Sequence, residues 1–209
     1  MKTRLIALLL VIMAQTLSAQ ERSMTAAEVK NFKATTVVEA KKVKTLITDF
    51  VQYKHMSFLD KDIVSEGKMH LKTPAKLSWQ YDKPFVYSIV FKDNKIHVND
   101  QGKKNKIDLG NNKKFEKING IIMGSVSGNM FDESAFVITY FKDKGKDIAR
   151  LQPKLKEINK YIKEIVLYFD NNQSTVSEVK LVEPSDDYTR IVFKNKKINT
   201  AVDDAIFNN

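Results

Sequence analysis

A mainly β fold, built on one curled antiparallel sheet, is predicted by three observations. Period-two alternation runs through short segments rich in β-branched and aromatic residues. Most of these segments are joined by single polar turns, the pattern of up-and-down connection. About ten such segments share the chain with two or three helical pieces, and a sheet of that width curls.

The elements follow in order. Met1–Ala19 reads as a secretory leader. Lys2 and Arg4 supply its charge, Leu5–Ala14 its apolar run, and Ala19 a small residue suited to cleavage before Gln20. As a helix that run spans about 15 Å, half a bilayer core, too short for an anchor. Residues 20–209 show no repeat and no linker and are expected to form one exported, soluble domain.

Thr25-Ala26-Ala27-Glu28 fits a capping box and opens a helix with a loose stripe of Val29, Phe32, Val37, Ala40 and Val43. The pattern breaks near Lys44. Leu46, Thr48, Phe50 and Gln52 then alternate with Ile47, Asp49, Val51 and Tyr53, a first strand.

Gly67 to Phe91 reads as three strands with prolines at two joints, where they interrupt no ladder. Met69, Leu71 and Thr73 share one face. After Pro74, Leu77, Trp79 and Tyr81 face one way and Ser78 and Gln80 the other. After Pro84, Val86 to Phe91 is apolar on both faces apart from Ser88.

Asp93-Asn94 turns the chain into a strand over 95–99, and 100–106 reads as polar and turn-like. Over 113–127, Phe115, Ile118, Ile122 and Val126 recur at helical spacing, interrupted by Gly120, Gly124 and Gly128. A helix closing a core and a movable lid both fit that pattern. Further strands are expected at 136–141, 147–152, 164–169, 176–182 and 189–193, with a helical turn over 153–161 and a weakly apolar tail over 198–207.

Composition narrows the function. The absence of cysteine excludes disulfides, thiolate metal sites, a cysteine nucleophile and lipidation at an N-terminal cysteine. His55, His70 and His97 sit in no metal-ligand spacing and read as strand-surface residues. The net charge is +10, about +8 once Lys2 and Arg4 leave with the leader. Only four of the 35 basic residues are arginine and the lysines are interspersed with acids, which argues against nucleic-acid binding. No nucleophile elbow, zinc-protease helix or phosphate loop is present. Asp186-Asp187 and Asp203-Asp204 read as solvated turn and tail residues. Several strands are apolar on both faces, so an apolar hollow under a thin helical cover and a filled barrel core both fit.

A family resemblance rests on residues already named. A glycine-led strand (Gly67), then Pro74, Trp79, Tyr81 and Pro84, and the Asp93-Asn94 turn are similar to LolA-type periplasmic lipoprotein carriers. So are Asp49-Phe50-Val51-Gln52 after the first helix, and the ending from Tyr188–Phe193 through Asn199 to Asp204–Phe207. The lysine content and the segment Gly124–Phe131 resemble Bacteroidetes-type members.

The resemblance implies an incomplete, strongly curved antiparallel β-barrel with a helical lid enclosing an apolar cavity. It implies a carrier that takes the acyl chains of lipoproteins from an inner-membrane releasing transporter and delivers them to the outer membrane or a receptor there. Such a protein is a periplasmic monomer with no catalytic residue, metal or cofactor. Leu77 and Trp79 match inward positions of the family, and alternation adds Met69, Leu71 and Tyr81. Phe50, Phe91, Phe136 and Ile138 complete the candidate acyl-chain set, and Phe115, Ile118 and Ile122 form the candidate lid. One departure is Thr73, where many proteobacterial members carry an arginine that ties the lid shut; a hydroxyl does not replace its five donors. That departure keeps a second reading open, a carrier or sensor of another lipid such as a glycolipid or pigment ester. An enzyme on the same scaffold is the third.

Overall fold

The structure is a computed structural model that describes residues 21–108, 130–170, 173 and 175–208. Residues 1–20, with the expected leader, and the stretch carrying Phe115, Ile118 and Ile122 lie outside the described residues.

Among the described residues twelve strands form one open antiparallel sheet, two more than the alternation predicts. They are β1 (Arg22–Ser23), β2 (Thr45–His55), β3 (Ile63–Lys72), β4 (Lys76–Lys83), β5 (Tyr87–Lys92), β6 (Lys95–Asp100), β7 (Lys103–Asp108), β8 (Phe136–Asp143), β9 (Lys146–Pro153), β10 (Glu164–Asp170), β11 (Val176–Val182) and β12 (Tyr188–Ile198). The order is β1-β8-β9-β10-β11-β12-β2-β3-β4-β5-β6-β7. Hairpins therefore account for every pairing except β1 with β8 and β12 with β2.

The two added strands are β1 and β7. β1 is two residues long and carries no pattern. β7 replaces the turn expected over 100–106, and only Ile107 of its six residues joins the core. It is an edge strand, and its lysines suit an edge that must not recruit another chain. Pro153 ends β9 opposite Phe136 instead of opening a helical turn, which shrinks to the four-residue helix α2 (Lys156–Asn159).

Helix α1 (Ala26–Ala40) begins at the predicted capping box. Thr25 Oγ1 accepts from the Glu28 N–H at 3.3 Å, and Glu28 Oε2 accepts from the Thr25 N–H at 2.9 Å. Arg22 donates to both Glu28 oxygens, at 2.7 and 3.0 Å. That pairing, with the Thr25 N–H, holds the Glu28 carboxyl down to about 2. Thr25→Ala is expected to cost about 1 kcal/mol of stability, read as a lower urea midpoint. An unchanged midpoint would mean the cap adds nothing to folding.

Phe32, Thr36 and Ala40, at spacings of four, are the buried residues of α1. Phe32 meets Phe169 edge-on at 5.1 Å, Phe131 at 5.5 Å and Tyr140 at 6.1 Å between ring centres. The helix thus covers the half of the sheet made by β8 to β11. Its end is tied down by Asn199, whose side chain accepts from the Lys44 N–H at 2.7 Å and donates to the Lys42 carbonyl at 3.1 Å. Thr73 joins the same knot, donating to the Lys44 carbonyl through its N–H at 2.9 Å and its hydroxyl at 3.2 Å.

The tail ends in a 3-10 helix, Asp204–Phe207, lying against β4 and β5. Asp204 pairs with Lys72 and Lys76 at 3.0 and 2.9 Å, which share the outer sheet face with His70 and Ser78. Phe207 is fully buried there, under the Lys76 ammonium. This corrects the reading of His70 as a strand-surface residue: it is buried. Burial and the nearby Lys68 charge push its imidazole below the usual histidine range.

Candidate functional site

Directly paired residues in an antiparallel sheet share a face, so the register sorts the inner face into rows. The deepest row is Leu46, Leu71, Leu77, Phe91, Ile96 and Ile107, running across β2 to β7. The next is Thr48, Met69, Trp79, Ile89 and Val98. A third runs Phe193, Phe50, Gly67, Tyr81 and Tyr87. A fourth holds Val179, Ile191, Gln52 and Ser65. Polarity rises along the strands, from wholly aliphatic and aromatic in the first row to Gln52 and Ser65 in the last.

Seven of the nine candidate acyl-chain residues fall in this one cluster: Phe50, Met69, Leu71, Leu77, Trp79, Phe91 and, half-buried, Tyr81. Phe136 and Ile138 face the same way but lie in the second cluster, beneath α1. The inner face also includes residues outside the candidate set, among them Gln52, Ile89, Ile96, Val98, Ile107, Ile191 and Phe193. The signal for Gln52 was present in the alternation of Leu46, Thr48, Phe50 and Gln52. The signal for Ile191 and Phe193 was their period-two spacing within the last strand.

Gly67 shapes the third row. A Cβ there would stand 1.9 Å from the Gln80 carbonyl oxygen and 2.7 Å from Phe50 Cζ. The Phe50 ring occupies the space a side chain would take, and it packs on Trp79 at 4.7 Å and edge-on against Tyr81 at 5.1 Å. The gap also lets Tyr81 reach across β3 to donate its hydroxyl to Gln52 Oε1 at 3.0 Å. Burial pushes the Tyr81 hydroxyl up to about 12, so it stays a neutral donor. Trp79 is buried, and its indole N–H is directed toward the Tyr81 hydroxyl without completing a hydrogen bond to it or to any other described residue.

At the polar end of the rows the strand connections expose apolar side chains. Phe58 on the β2–β3 connection is 77% exposed, and Phe85 and Val86 between β4 and β5 are each 68% exposed. Among the described residues no three metal-ligating side chains converge, and no helix is long and apolar enough to cross a membrane.

A curled, open antiparallel sheet with an apolar inner face and a helix laid across half of it defines the structural class. The family model described as outer membrane lipoprotein carrier protein LolA matches residues 41–209, and the chain belongs to that family. An outer-membrane lipoprotein carrier protein of Chromobacterium violaceum is 27% identical over 169 residues, covering 78% of this chain and 76% of its own. Among solved structures, MucB superposes with a TM-score of 0.51 at 11% identity, over 86% of this chain and 62% of that one. A LolA superfamily protein from Nitrosomonas europaea gives 0.42 at 8% identity, over 84% of this chain and 96% of that one.

Proposed function

We propose that this protein is a periplasmic carrier that holds the acyl chains of lipoproteins on the inner face of its sheet and ferries them from the inner to the outer membrane. Residues 1–19 direct export, and residues 20–209 work as one domain. The observation that carries the reading is the row structure of the inner face: across β2 to β6 two successive rows, Leu46 to Ile96 and Thr48 to Val98, carry no polar group but the Thr48 hydroxyl and the Trp79 indole N–H. That hydroxyl is spent on the Lys194 carbonyl at 2.8 Å. Acyl chains bind such a face by area, at about 0.8 kcal/mol per methylene withdrawn from water. Family membership supports the same reading.

The partners on this proposal are acylated lipoproteins, an inner-membrane releasing transporter, and the outer-membrane surface or a receptor there. The exposed Phe58, Phe85 and Val86 at the polar end give the carrier an apolar rim for that last meeting. The test is mass spectrometry of what co-purifies with the protein from its native periplasm. Peptides with acylated N-terminal cysteines are the expected result. Free lipid without such peptides would replace lipoprotein with another lipid as cargo. Neither, from folded protein, would overturn the carrier reading.

A further inference from the structure

We infer that Gln52, Trp79 and Tyr81 form a polar clasp for the carbonyl oxygens of an acyl ester or amide, fixing which way round the cargo sits. The inference rests on the carrier reading and adds an orientation and a chemical preference to it.

Three observations carry it. First, the Trp79 indole N–H is a buried donor, in a side chain 8% exposed, that is directed toward the Tyr81 hydroxyl without completing a hydrogen bond to it. A buried donor left unpaired is costly, and a ligand acceptor removes that cost. Second, Tyr81 donates its hydroxyl to Gln52 Oε1 at 3.0 Å, which leaves the two amide hydrogens of Gln52 as donors. Third, Trp79 and Tyr81 are successive residues on one face of β4, and Tyr81 reaches Gln52 over the side-chain gap at Gly67. The unspent groups are N–H donors, so the matching ligand group is an acceptor that needs no proton of its own. A carbonyl oxygen is that group; a carboxylate would bring a charge to a place where none of the three can neutralise it.

The clasp begins at Trp79 in the second row and continues through Tyr81 and Gln52 toward the exposed rim. A ligand held there by its carbonyls lays its hydrocarbon along Leu77 and Leu71 and turns its polar part toward Phe58 and Phe85. Acyl-ester lipids and the acylated cysteine of a lipoprotein share this chemistry, with apolar tails on one side of the carbonyls and a polar body on the other.

The test uses a matched pair of probes, methyl palmitate and hexadecyl methyl ether, each displacing a fluorescent acyl probe from the full-length mature protein. The two differ in one carbonyl. The ester is expected to bind about fivefold more tightly for each donor it engages. In Gln52→Leu and Trp79→Phe the ester-to-ether ratio should fall toward one, more so in the double variant. Tyr81→Phe should act in the same direction by releasing Gln52. Equal binding of ester and ether by the wild-type protein would overturn the clasp and leave the carrier reading standing. A preference that survives the double variant would also overturn it. Failure of both probes to displace the reporter would overturn the carrier reading itself.

Discussion

Gly67→Ala is expected to lower the urea midpoint by about 1 M or more, a loss of about 3 kcal/mol. The added methyl would meet the Gln80 carbonyl oxygen at 1.9 Å and its carbon at 2.9 Å, on the neighbouring strand. Neither is the end of a flexible side chain, so β3 and β4 must part or the register shift between Glu66 and Gly67 must move. Phe50 Cζ, at 2.7 Å, must also leave, and with it the ring's contacts with Trp79 and Tyr81. Gly102 is the control. Its φ of +93° favours glycine, yet nothing lies within 4 Å of its missing Cβ. Gly102→Ala should therefore show only the conformational cost, about 1 kcal/mol. Equal losses at the two sites would sink the packing account of Gly67.

The pattern at Gly67 shows how far the sequence could be read. Alternation placed Met69, Leu71, Leu77, Trp79 and Tyr81 on one face because period two assigns faces before any pairing is known. All five share the inner face. What alternation lacks is order. The pairing of β12 with β2 joins residues more than a hundred positions apart, and no local pattern announces it. That pairing separates Phe136 and Ile138, under α1, from the cluster around Leu77. Edge strands are faint for a related reason. β7 is exposed on both faces except at Ile107, its single core residue, so the alternation that reveals central strands is missing. His70 escaped because alternation puts it on the outer face of β3, and nothing local tells that this stretch of the outer face is buried. In the candidate site the apolar residues were legible as a set, whereas the tie from Tyr81 to Gln52 depends on Gly67 leaving room, a fact of packing.

Leu77→Glu should show the largest effect on ligand binding, with loss of acyl-probe binding by about a hundredfold or more. Leu77 has no exposed surface and sits in the aliphatic row between Leu71 and Phe91. No cation belongs to that row, so a carboxylate there would be buried and unpaired, costing several kcal/mol. Loss of binding could then mean a charged ligand site or an unfolded protein, and pH separates them. Burial raises the folded-state pKa of the new carboxyl above its unfolded value of about 4.3. The charge penalty is therefore complete above the folded pKa and fades as pH falls toward the unfolded one. Urea midpoints of wild type and variant should converge between about pH 7 and about pH 4, and probe binding should recover over the same window. A gap that stays constant would assign the loss to shape and not to charge. Val137→Glu supplies the reference: Val137 is 51% exposed on the outer face of β8, so its carboxylate stays solvated and should leave both midpoint and binding within error at either pH. If Leu77→Glu instead folds at pH 7 and binds the acyl probe as wild type does, the inner face is not where the chains lie.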